Sequence, residues 1–505
     1  MWFILLIVTC LVYSLWRLRY FSSHGVRTLR PVPFLGNLTA ITFGRENFVE
    51  TIEAGYNAFK DQRYFGIYQY HVPTLVPRDP ELIRRIMVAD FAAFSDRGVH
   101  IEPDCDPLFG RNLIMLRGSK WRAMRATLSP AFSASRCRSM APLMAECARA
   151  VTEHLHKRVR GDYEIDVNEI STSYVNDVIA SCAFGFATDS LQDPQNCIFR
   201  LAQRAVVQDT TQIMKFFGYE NLKTVMKLLK VKIIKTSDAE QFGELFKTAL
   251  RARRAGAAPR PDFIQTLVDA TGVNNEWLWS LFRHFSDDDL VAQAVLFYIA
   301  GYDTTANLIN YFLYEMAANP EVQERLQREL DQLPEDDDQV VYDRVQNLEY
   351  LEMCVCEVLR LWPLVGAADR RSVARYDFGA PQPGADHFVA EAGVHIWLPV
   401  YSLHRDARYW RDPQRCDPTR FAPANRHLIL PYTYMPFGTG PRHCIGSRFA
   451  TTAAKVFLSR LLRRYGARGG DGDGAALHPR AFVLRPAHGF ALALTPRDDD
   501  NTVLS

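Results

Sequence analysis

Apolar residues recur at helical spacing along most of the chain, and only a few short runs show the alternation typical of strands. The longest helical pattern covers residues 287–317 and has an unusually apolar middle. Further helical patterns cover residues 320–333, 342–361 and 445–465, whereas strand-like runs cover residues 66–70, 74–76, 394–400 and 482–490. The pattern therefore predicts a mainly α fold with minor β structure.

The beginning of the chain is apolar without interruption. Its first 16 residues contain no charged side chain, and Arg17 and Arg19 follow at once. As a helix this stretch spans roughly 24 Å, whereas a hydrocarbon core is about 30 Å thick. With Leu18, Tyr20 and Phe21 included, we interpret residues 1–21 as a transmembrane anchor with the body on the cytosolic side. The alternative, a secretory signal peptide, would carry positive charge before the apolar run and a small-residue cleavage site after it.

One large catalytic domain is expected after the anchor. Pro31 and Pro33 stiffen a connector over residues 22–37, and no linker divides residues 38–505. The net charge of +2 gives no indication of a nucleic-acid partner. The ten cysteines are scattered and form no Cys-x-x-Cys pair, which argues against zinc ribbons and against a disulfide framework.

One cysteine is distinguished by its surroundings. Cys444 lies within the segment PFGTGPRHCIG, residues 436–446, directly before a helical pattern. A helix N-terminus lowers the pKa of a cysteine, and the thiolate is the form that binds metals. The glycines let backbone N–H groups and a flat ligand come close, because no Cβ intervenes. A single thiolate suits an iron atom rather than a zinc site, which needs several ligands at short spacing.

The spacing Phe437-x-x-Gly440-x-Arg442-x-Cys444-x-Gly446 resembles, at every fixed position, the haem-binding signature of the cytochrome P-450 superfamily of haem-thiolate monooxygenases. The resemblance implies the triangular, mainly helical fold of that superfamily. It also implies haem b as the cofactor, with the Cys444 thiolate as the axial ligand of the iron and Phe437 in the cofactor-binding segment.

The long helical pattern contains the segment AGYDTT, residues 300–305. An acid and a hydroxyl in an apolar helix are costly unless they find partners, and Gly301 favours a kink. Ala300 and Thr304 are four residues apart and share a helix face. The segment resembles the oxygen-activation motif of the same superfamily, which implies that Thr304 donates a hydrogen bond to bound dioxygen and that Asp303 takes part in proton delivery. The alternative is that both are ordinary polar residues at a helix bend.

Haem propionates are carboxylates that need cationic and N–H donors. Trp121 and Arg125 lie four residues apart on one predicted helix face. The resemblance implies that Trp121, Arg125, Arg370 and Arg442 hold the propionates, with Arg371 as the alternative to Arg370.

A second charged set lies near the cofactor segment. Glu357 and Arg360 are three residues apart in an apolar helical pattern, and Arg420 follows downstream. The resemblance implies that these three residues form a buried network that locks the fold around the haem. Thr419 stands where the family usually has Glu, and Cys416 stands where it usually has Phe.

The resemblance implies insertion of one oxygen atom from O2 into a lipophilic small molecule. The chain has no flavin or nicotinamide fingerprint, so electrons must come from a separate protein. For a membrane-anchored member the resemblance implies the NADPH-dependent diflavin reductase, with a cytochrome b-type protein as a further donor. Residues 79–83 and 124–132 look most like the insect microsomal enzymes that oxidise xenobiotics, which implies the membrane of the endoplasmic reticulum. Two alternatives remain open: a haem-thiolate isomerase or dehydratase that needs no oxygen, and a haem protein that binds ligands or senses gases.

Overall fold

Helices dominate the structure, as the apolar pattern predicts. The computed structural model describes residues 1–158, 163–205, 210–272, 285–334, 341–469 and 476–497. Within these residues the fold is mainly helical with small sheets, and the largest cluster of buried apolar side chains extends from Val49 to Leu494. The predicted fold class is therefore confirmed.

The helices follow one another along the chain with few long interruptions. The first are α1 (Trp2–Arg17), α2 (Tyr20–Ser23), α3 (Thr39–Thr42), α4 (Phe48–Ala58), α5 (Pro80–Arg84), α6 (Pro107–Gly110), α7 (Gly118–Leu128), α8 (Ala134–Arg158), α9 (Val167–Ile179) and α10 (Cys197–Ala205). Next come α11 (Thr210–Asn221), α12 (Lys223–Leu228), α13 (Thr236–Arg254), α14 (Phe263–Gly272) and α15 (Asp287–Ala318). The last are α16 (Pro320–Leu330), α17 (Val341–Gln346), α18 (Glu349–Leu361), α19 (Val400–Leu403) and α20 (Ser447–Arg464).

The strands form three small sheets. They are β1 (Tyr64–Gln69), β2 (Val72–Pro77), β3 (Tyr163–Asp166), β4 (Ala368–Arg371), β5 (Tyr376–Asp377), β6 (Val389–Ala390), β7 (His395–Leu398), β8 (Tyr465–Gly469) and β9 (Ala491–Pro496). One sheet has the order β1-β2-β7-β4, in which β2 and β7 are parallel and the other neighbours are antiparallel. The second sheet has the order β3-β9-β8, and β5 pairs with β6.

Two boundaries differ from the sequence-based prediction. The helix predicted over 342–361 is divided into α17 and α18, because the chain leaves helical geometry at Leu348, the N-cap of α18. The strand predicted from residue 482 starts only at Ala491, and the preceding residues form bends with one isolated bridge between Leu477 and Pro486. In both places the apolar pattern reports burial rather than the type of local backbone.

The helix α15 is the central element that the pattern predicted. Its first turn is closed by a capping box, in which the Asp289 N–H donates to Ser286 Oγ at 3.2 Å and the Ser286 N–H donates to Asp289 at 2.8 Å. The helix continues without interruption through Gly301. A Cβ at Gly301 would lie 3.1 Å from Ile179 Cδ1, so this glycine permits close packing of α15 against α9.

The Glu357 carboxylate is the centre of a buried charge network. Arg360 donates to both carboxylate oxygens of Glu357, at 2.7 and 2.8 Å, and Arg420 Nε donates to one of them at 3.3 Å. Both Glu357 and Arg360 have fully buried side chains. Asp417 caps the following turn by accepting hydrogen bonds from the N–H and the hydroxyl of Thr419, so the residue that replaces the usual Glu helps to fix the backbone beside Arg420.

The N-terminal helix is bound to the body at its last turn. Most of its apolar side chains are exposed, for example Trp16 to 65%. Ser14 is buried instead, because its Oγ accepts a hydrogen bond from the Phe34 N–H at 2.8 Å and lies 3.1 Å from His71 Nε2. The contact joins α1 to the connector and to the turn between β1 and β2.

Two residues that the sequence analysis placed in the anchor lie in the folded body. Leu18 and Phe21 are buried, and the Phe21 ring packs against the rings of Tyr68 and Phe388 at 5.4 and 6.1 Å. Hydropathy alone does not distinguish an apolar side chain that enters a core from one that enters lipid. Across the described ranges, no helix has both the length and the apolar character needed to cross a membrane.

We expect Glu357→Ala to lower the free energy of unfolding by roughly 3 kcal/mol or more, because it leaves two guanidinium groups without their carboxylate. Urea denaturation of the variant checks this value. Glu349→Ala, at the exposed first turn of the same helix, is the matched control and should change stability by well under about 1 kcal/mol. Equal effects of the two substitutions would contradict the role of the network.

Candidate active site

The cysteine segment forms a tight loop in front of α20. The Cys444 N–H donates to the Phe437 carbonyl at 2.9 Å. Gly438 and Gly440 both have a φ of 70°, in the left-handed region that favours glycine. A Cβ at Gly440 would also lie 2.0 Å from the Met87 carbonyl oxygen. The sequence of this loop is therefore set by its turns and by its close approach to neighbouring backbone.

Cys444 is open on one side and enclosed on the others. The residue is exposed, yet burial by the surrounding protein is the main cause that raises the pKa of its thiol. Such a thiol is accessible to a ligand although many protein atoms surround it. Backbone hydrogen bonds from Gly446 and Ser447, and the positive charges of Arg125 and Arg97, act in the opposite direction and favour the thiolate.

Three guanidinium groups interact near this loop, those of Arg97, Arg370 and Arg442. Burial, and repulsion by Arg97, lower the pKa values of both Arg370 and Arg442 to about 9. Asp369 accepts from Arg97 Nη1 at 2.5 Å, and Asp96 is a further nearby carboxylate. The two carboxylates do not compensate three cations. The Nε atoms of Arg97 and Arg370 are buried and have no hydrogen-bond partner within the described part of the chain.

The predicted propionate donors on α7 lie beside this cluster. The Arg442 guanidinium stacks over the Trp121 ring, 4.1 Å from its centre, and donates to the Leu116 carbonyl at 2.9 Å. Arg125 Nη2 lies 3.4 Å from His443 Nε2, next to Cys444. The structure thus brings Trp121 to Arg442, and places Arg125 at the cysteine itself.

These groups fit haem b. The donor set consists of one open thiol and several guanidinium groups, two of which have unpartnered N–H donors within the described residues. A flat ligand with a thiolate-binding iron and two carboxylates matches this set, and charge-assisted hydrogen bonds to carboxylates are the interaction that such arginines form best. The two negative charges would offset the excess positive charge around Arg370 and Arg442.

Arg97 was missed by the sequence analysis, because it lies in an irregular polar stretch without a motif. Its only sequence signal is an arginine before a glycine, which is too common to be informative. The structure also separates two neighbours on β4, because successive residues of a strand face opposite sides. Arg370 interacts with Arg97 and Arg442, whereas Arg371 interacts with His395, which favours Arg370 as the propionate donor.

An open strip of α15 lies on the same side as the cluster. Ala300 is exposed and Thr304 is half-buried in the middle of a helix that is mostly buried there, and Thr304 Oγ1 donates to the Ala300 carbonyl at 2.6 Å. Gln293 lies two turns earlier on this face and accepts from the Leu113 N–H at 2.8 Å. The Leu113 carbonyl in turn accepts from Arg442 at 3.3 Å. Residues around Leu113 therefore connect the open strip with the cysteine loop.

Asp303 is buried beside the strip and is only 6% exposed. Its carboxylate accepts from Asn307 Nδ2 at 3.1 Å and lies 3.5 Å from Arg485 Nη2. Burial raises the pKa of this carboxyl group, and Arg485 opposes the rise. Asp303 can therefore hold or release a proton next to Thr304, and Arg485 is a second residue that no sequence motif indicated.

The comparisons with known proteins agree with this site. A sequence model of the family described as Cytochrome P450 matches residues 26–490. The chain is 37% identical to Cytochrome P450 9e2 of Blattella germanica over 89% of its length and 88% of that protein. It is 34% identical to Probable cytochrome P450 9f2 of Drosophila melanogaster over 95% of both chains.

Similarity of this extent covers the cysteine loop, the guanidinium cluster and the open strip of α15 together. The chain therefore belongs to the cytochrome P450 family of haem-thiolate monooxygenases, oxidoreductases that bind haem b through a cysteine thiolate.

Proposed function

We propose that this chain oxidises lipophilic small molecules, xenobiotic or endogenous, by inserting one oxygen atom from O2, with electrons from NADPH delivered by a diflavin reductase. The observation that carries this proposal is the open Cys444 beside an uncompensated cluster of guanidinium groups. When bound, the haem iron supplies the centre at which O2 is activated, and thiolate ligation favours cleavage of the O–O bond. The insect relatives support the substrate class.

Residues of the chain have distinct tasks in this proposal. Cys444 ligates the iron, and Trp121, Arg125, Arg370 and Arg442 hold the propionates together with Arg97. Phe437 supports the cysteine loop through its carbonyl group. Ala300 leaves room on the open strip. The Thr304 hydroxyl, which donates to the Ala300 carbonyl in the structure, would turn to donate its hydrogen bond to dioxygen.

Asp303 and Thr304 carry the proton-delivery step. The Asp303 carboxyl group lies near the open strip but is held away from water by Asn307 and Arg485. Arg485 has a side chain that is 26% exposed, so it connects the buried acid with the outside. If the Asp303 carboxyl group turns from Arg485 towards Thr304, it can deliver one proton to the Thr304 side in each catalytic cycle. The presence of this acid and hydroxyl disfavours an isomerase or dehydratase that needs no oxygen.

An apolar wall beside the strip suits a lipophilic substrate. The Phe216 ring on α11 packs against the Phe109 ring on α6 with centres 5.4 Å apart. α6 also packs against α15, and the segment after it carries Leu113. Aromatic side chains at this position offer a large apolar contact area.

Product formation with O2 labelled by ¹⁸O tests the function. The holoprotein is combined with NADPH, a diflavin reductase and two lipophilic probes, laurate and coumarin. We expect a product that carries one labelled oxygen atom and whose formation requires the reductase. Absence of both reductase-dependent NADPH oxidation and labelled product would contradict the proposal.

A charge reversal in the same assay tests where the reductase binds. Lys120, Arg122 and Arg448 are exposed on the segments that flank the Cys444 loop, and they can attract an acidic partner. Arg122→Glu should slow electron transfer while the haem content stays unchanged. The control is Arg45→Glu, an exposed arginine between α3 and α4, which should leave the rate unchanged.

Substitutions at Asp303 and Arg485 test the proton-delivery step. Asp303→Asn should slow product formation roughly 100-fold, the usual contribution of a general acid–base group, at unchanged haem content. Arg485→Gln removes a charge that lowers the pKa of Asp303, so the pH at which the rate changes should move upward. Arg485→Lys keeps the charge and should leave the pH profile nearly in place. A wild-type rate for Asp303→Asn would exclude Asp303 from the step.

We further propose that the protein is bound to the endoplasmic reticulum membrane, with the catalytic domain on the cytosolic face. Two apolar surfaces support this location. One is α1, whose Trp2 is 78% exposed. The other is the C-terminal end of α12, where Leu228 is 81% exposed and the C-cap residue Leu229 is 66% exposed. The exposed Lys230 follows and suits anionic headgroups.

Vesicle flotation tests the second membrane contact. In phosphatidylcholine vesicles with about 20% phosphatidylserine, the double variant Leu228→Glu/Leu229→Glu should bind clearly less than the unchanged chain, because charges oppose insertion into the lipid surface. Leu430→Glu is the control, since Leu430 is similarly apolar and 47% exposed but lies in a different segment. Equal loss in both variants would contradict a specific role of α12.

A further inference from the structure

Glu220 is a buried carboxyl group that the proposed chemistry does not use. It lies near the end of α11, and its side chain is only 5% exposed. One carboxylate oxygen lies 3.8 Å from His395 Nδ1 on β7, and the His395 side chain is 7% exposed. The other Glu220 oxygen, Oε2, and His395 Nδ1 have no hydrogen-bond partner among the residues described. Burial of two such groups is costly unless they satisfy each other.

The backbone beside the pair makes room for it. A Cβ at Gly98 would lie 3.1 Å from His395 Nδ1 and 3.2 Å from Glu220 Oε1. The Gly98 N–H donates to Asp369 at 2.7 Å, so this glycine is fixed in place. A small shift of Glu220 by about 0.8 Å would bring it within hydrogen-bond distance of His395.

Charged groups face the pair from two neighbouring elements. They are Asp369 and Arg371 on β4, and Arg117 on the chain before α7. Arg97 and Asp96 pair in turn with Asp369 and Arg117. Asp369 already accepts hydrogen bonds from Arg97 Nη1 and from a backbone N–H, which favour its charged form. Its negative charge therefore repels a negative charge on Glu220.

The other contacts of α11 combine aromatic packing with hydrogen bonds to backbone carbonyls. Its Phe216 packs against Phe109, and its Phe217 packs against Tyr70 with ring centres 6.0 Å apart. Tyr219 and Lys215 donate hydrogen bonds to backbone carbonyls of the segment after α12. Aromatic packing does not depend on pH. If the end of α11 moves away from the sheet, Glu220 and His395 enter water together.

We propose that Glu220 and His395 share one proton and latch the end of α11 onto the sheet, so that the opening of this end depends on pH. The latch rests on the burial and proximity of the two groups and does not depend on the proposed function. Its consequence, control of substrate entry above the haem, rests on the proposed function.

The direction of the pH dependence follows from the proton balance. Burial and Asp369 raise the pKa of Glu220 to about 8, and burial and Arg371 lower the pKa of His395 to about 4. In water the two groups titrate near about 4.3 and 6.5. Between about pH 6.5 and 8, opening releases the Glu220 proton, so the latch weakens as the pH rises. Between about pH 4.5 and 6.5, Glu220 releases a proton and His395 takes one up, so opening is nearly independent of pH.

Hydrogen–deuterium exchange of the holoprotein tests the latch without any substrate. After correction for intrinsic exchange, the protection of the α11 amides should be flat from about pH 5 to 6.5 and should then fall by up to about tenfold per pH unit to about pH 8. Glu220→Gln keeps a polar side chain without a titrating proton, so its protection should change by no more than about twofold between about pH 6.5 and 8. Below about pH 6.5 its protection should instead rise with pH, because His395 still takes up a proton on opening.

Two further variants complete the test. Glu53→Gln is the matched control, because Glu53 on α4 also has a raised pKa but interacts with Arg405 and Glu50 instead of His395; its profile should equal that of the unchanged chain. His395→Asn removes proton uptake on opening, so the fall in protection should begin near about pH 5 instead of about 6.5. The proposal is overturned if Glu220→Gln keeps the full pH dependence, or if His395→Asn leaves the onset unchanged. If Glu220→Gln does not fold, the onset of the fall in protection in His395→Asn still decides whether the latch exists.

Stopped-flow binding of 4-phenylimidazole to the haem iron tests the consequence for entry. If the latch controls access, the association rate should rise with the α11 exchange as the pH increases from about 6.5 to 8. If the exchange of the α11 amides depends on pH but the association rate is constant, the latch is supported and its role in substrate entry is refuted. A protein that binds no haem would refute the proposed function, while the exchange experiment would still decide the latch.

Discussion

Uncompensated positive charge beside an open cysteine is the constraint on which the rest of the structure depends. Arg97, Arg370 and Arg442 repel one another strongly enough, together with their burial, to lower the pKa values of two of them to about 9. A folded chain retains such a cluster only if the surrounding packing holds it in place and a ligand offsets its charge. Two propionates and an iron bound by the thiolate meet both requirements in one cofactor.

The rest of the fold supplies the rigid frame. Glu357 binds Arg360 and Arg420 within the core, and α15 is enclosed along most of its length. Around Ala300 and Thr304, α15 is less buried. The Glu357 network pairs its charges within the core, whereas the guanidinium cluster beside Cys444 keeps N–H donors without a partner among the described residues.

Local motifs predicted the centre of the site, and long-range contacts supplied what they could not. Cys444 and Thr304 can be singled out from the sequence, because the glycine turns and the helical spacing that mark them involve only neighbouring residues. Arg97, Arg485 and Glu220 are not, because their partners lie about 180 to 270 positions away in the chain. Phe21 illustrates a further limit, since its apolar character fits lipid and core equally well and only packing decides between them.

The most direct test of the account is the carbon monoxide difference spectrum of the reduced protein, recorded for the unchanged chain and for Cys444→Ser. The account predicts a strongly red-shifted Soret band for the unchanged chain, because Cys444 would ligate the iron as a thiolate, and loss of that band in the variant. A haem spectrum without the shift in the unchanged chain would contradict thiolate ligation by Cys444. An unaltered red-shifted band in the variant would show that another residue is the ligand.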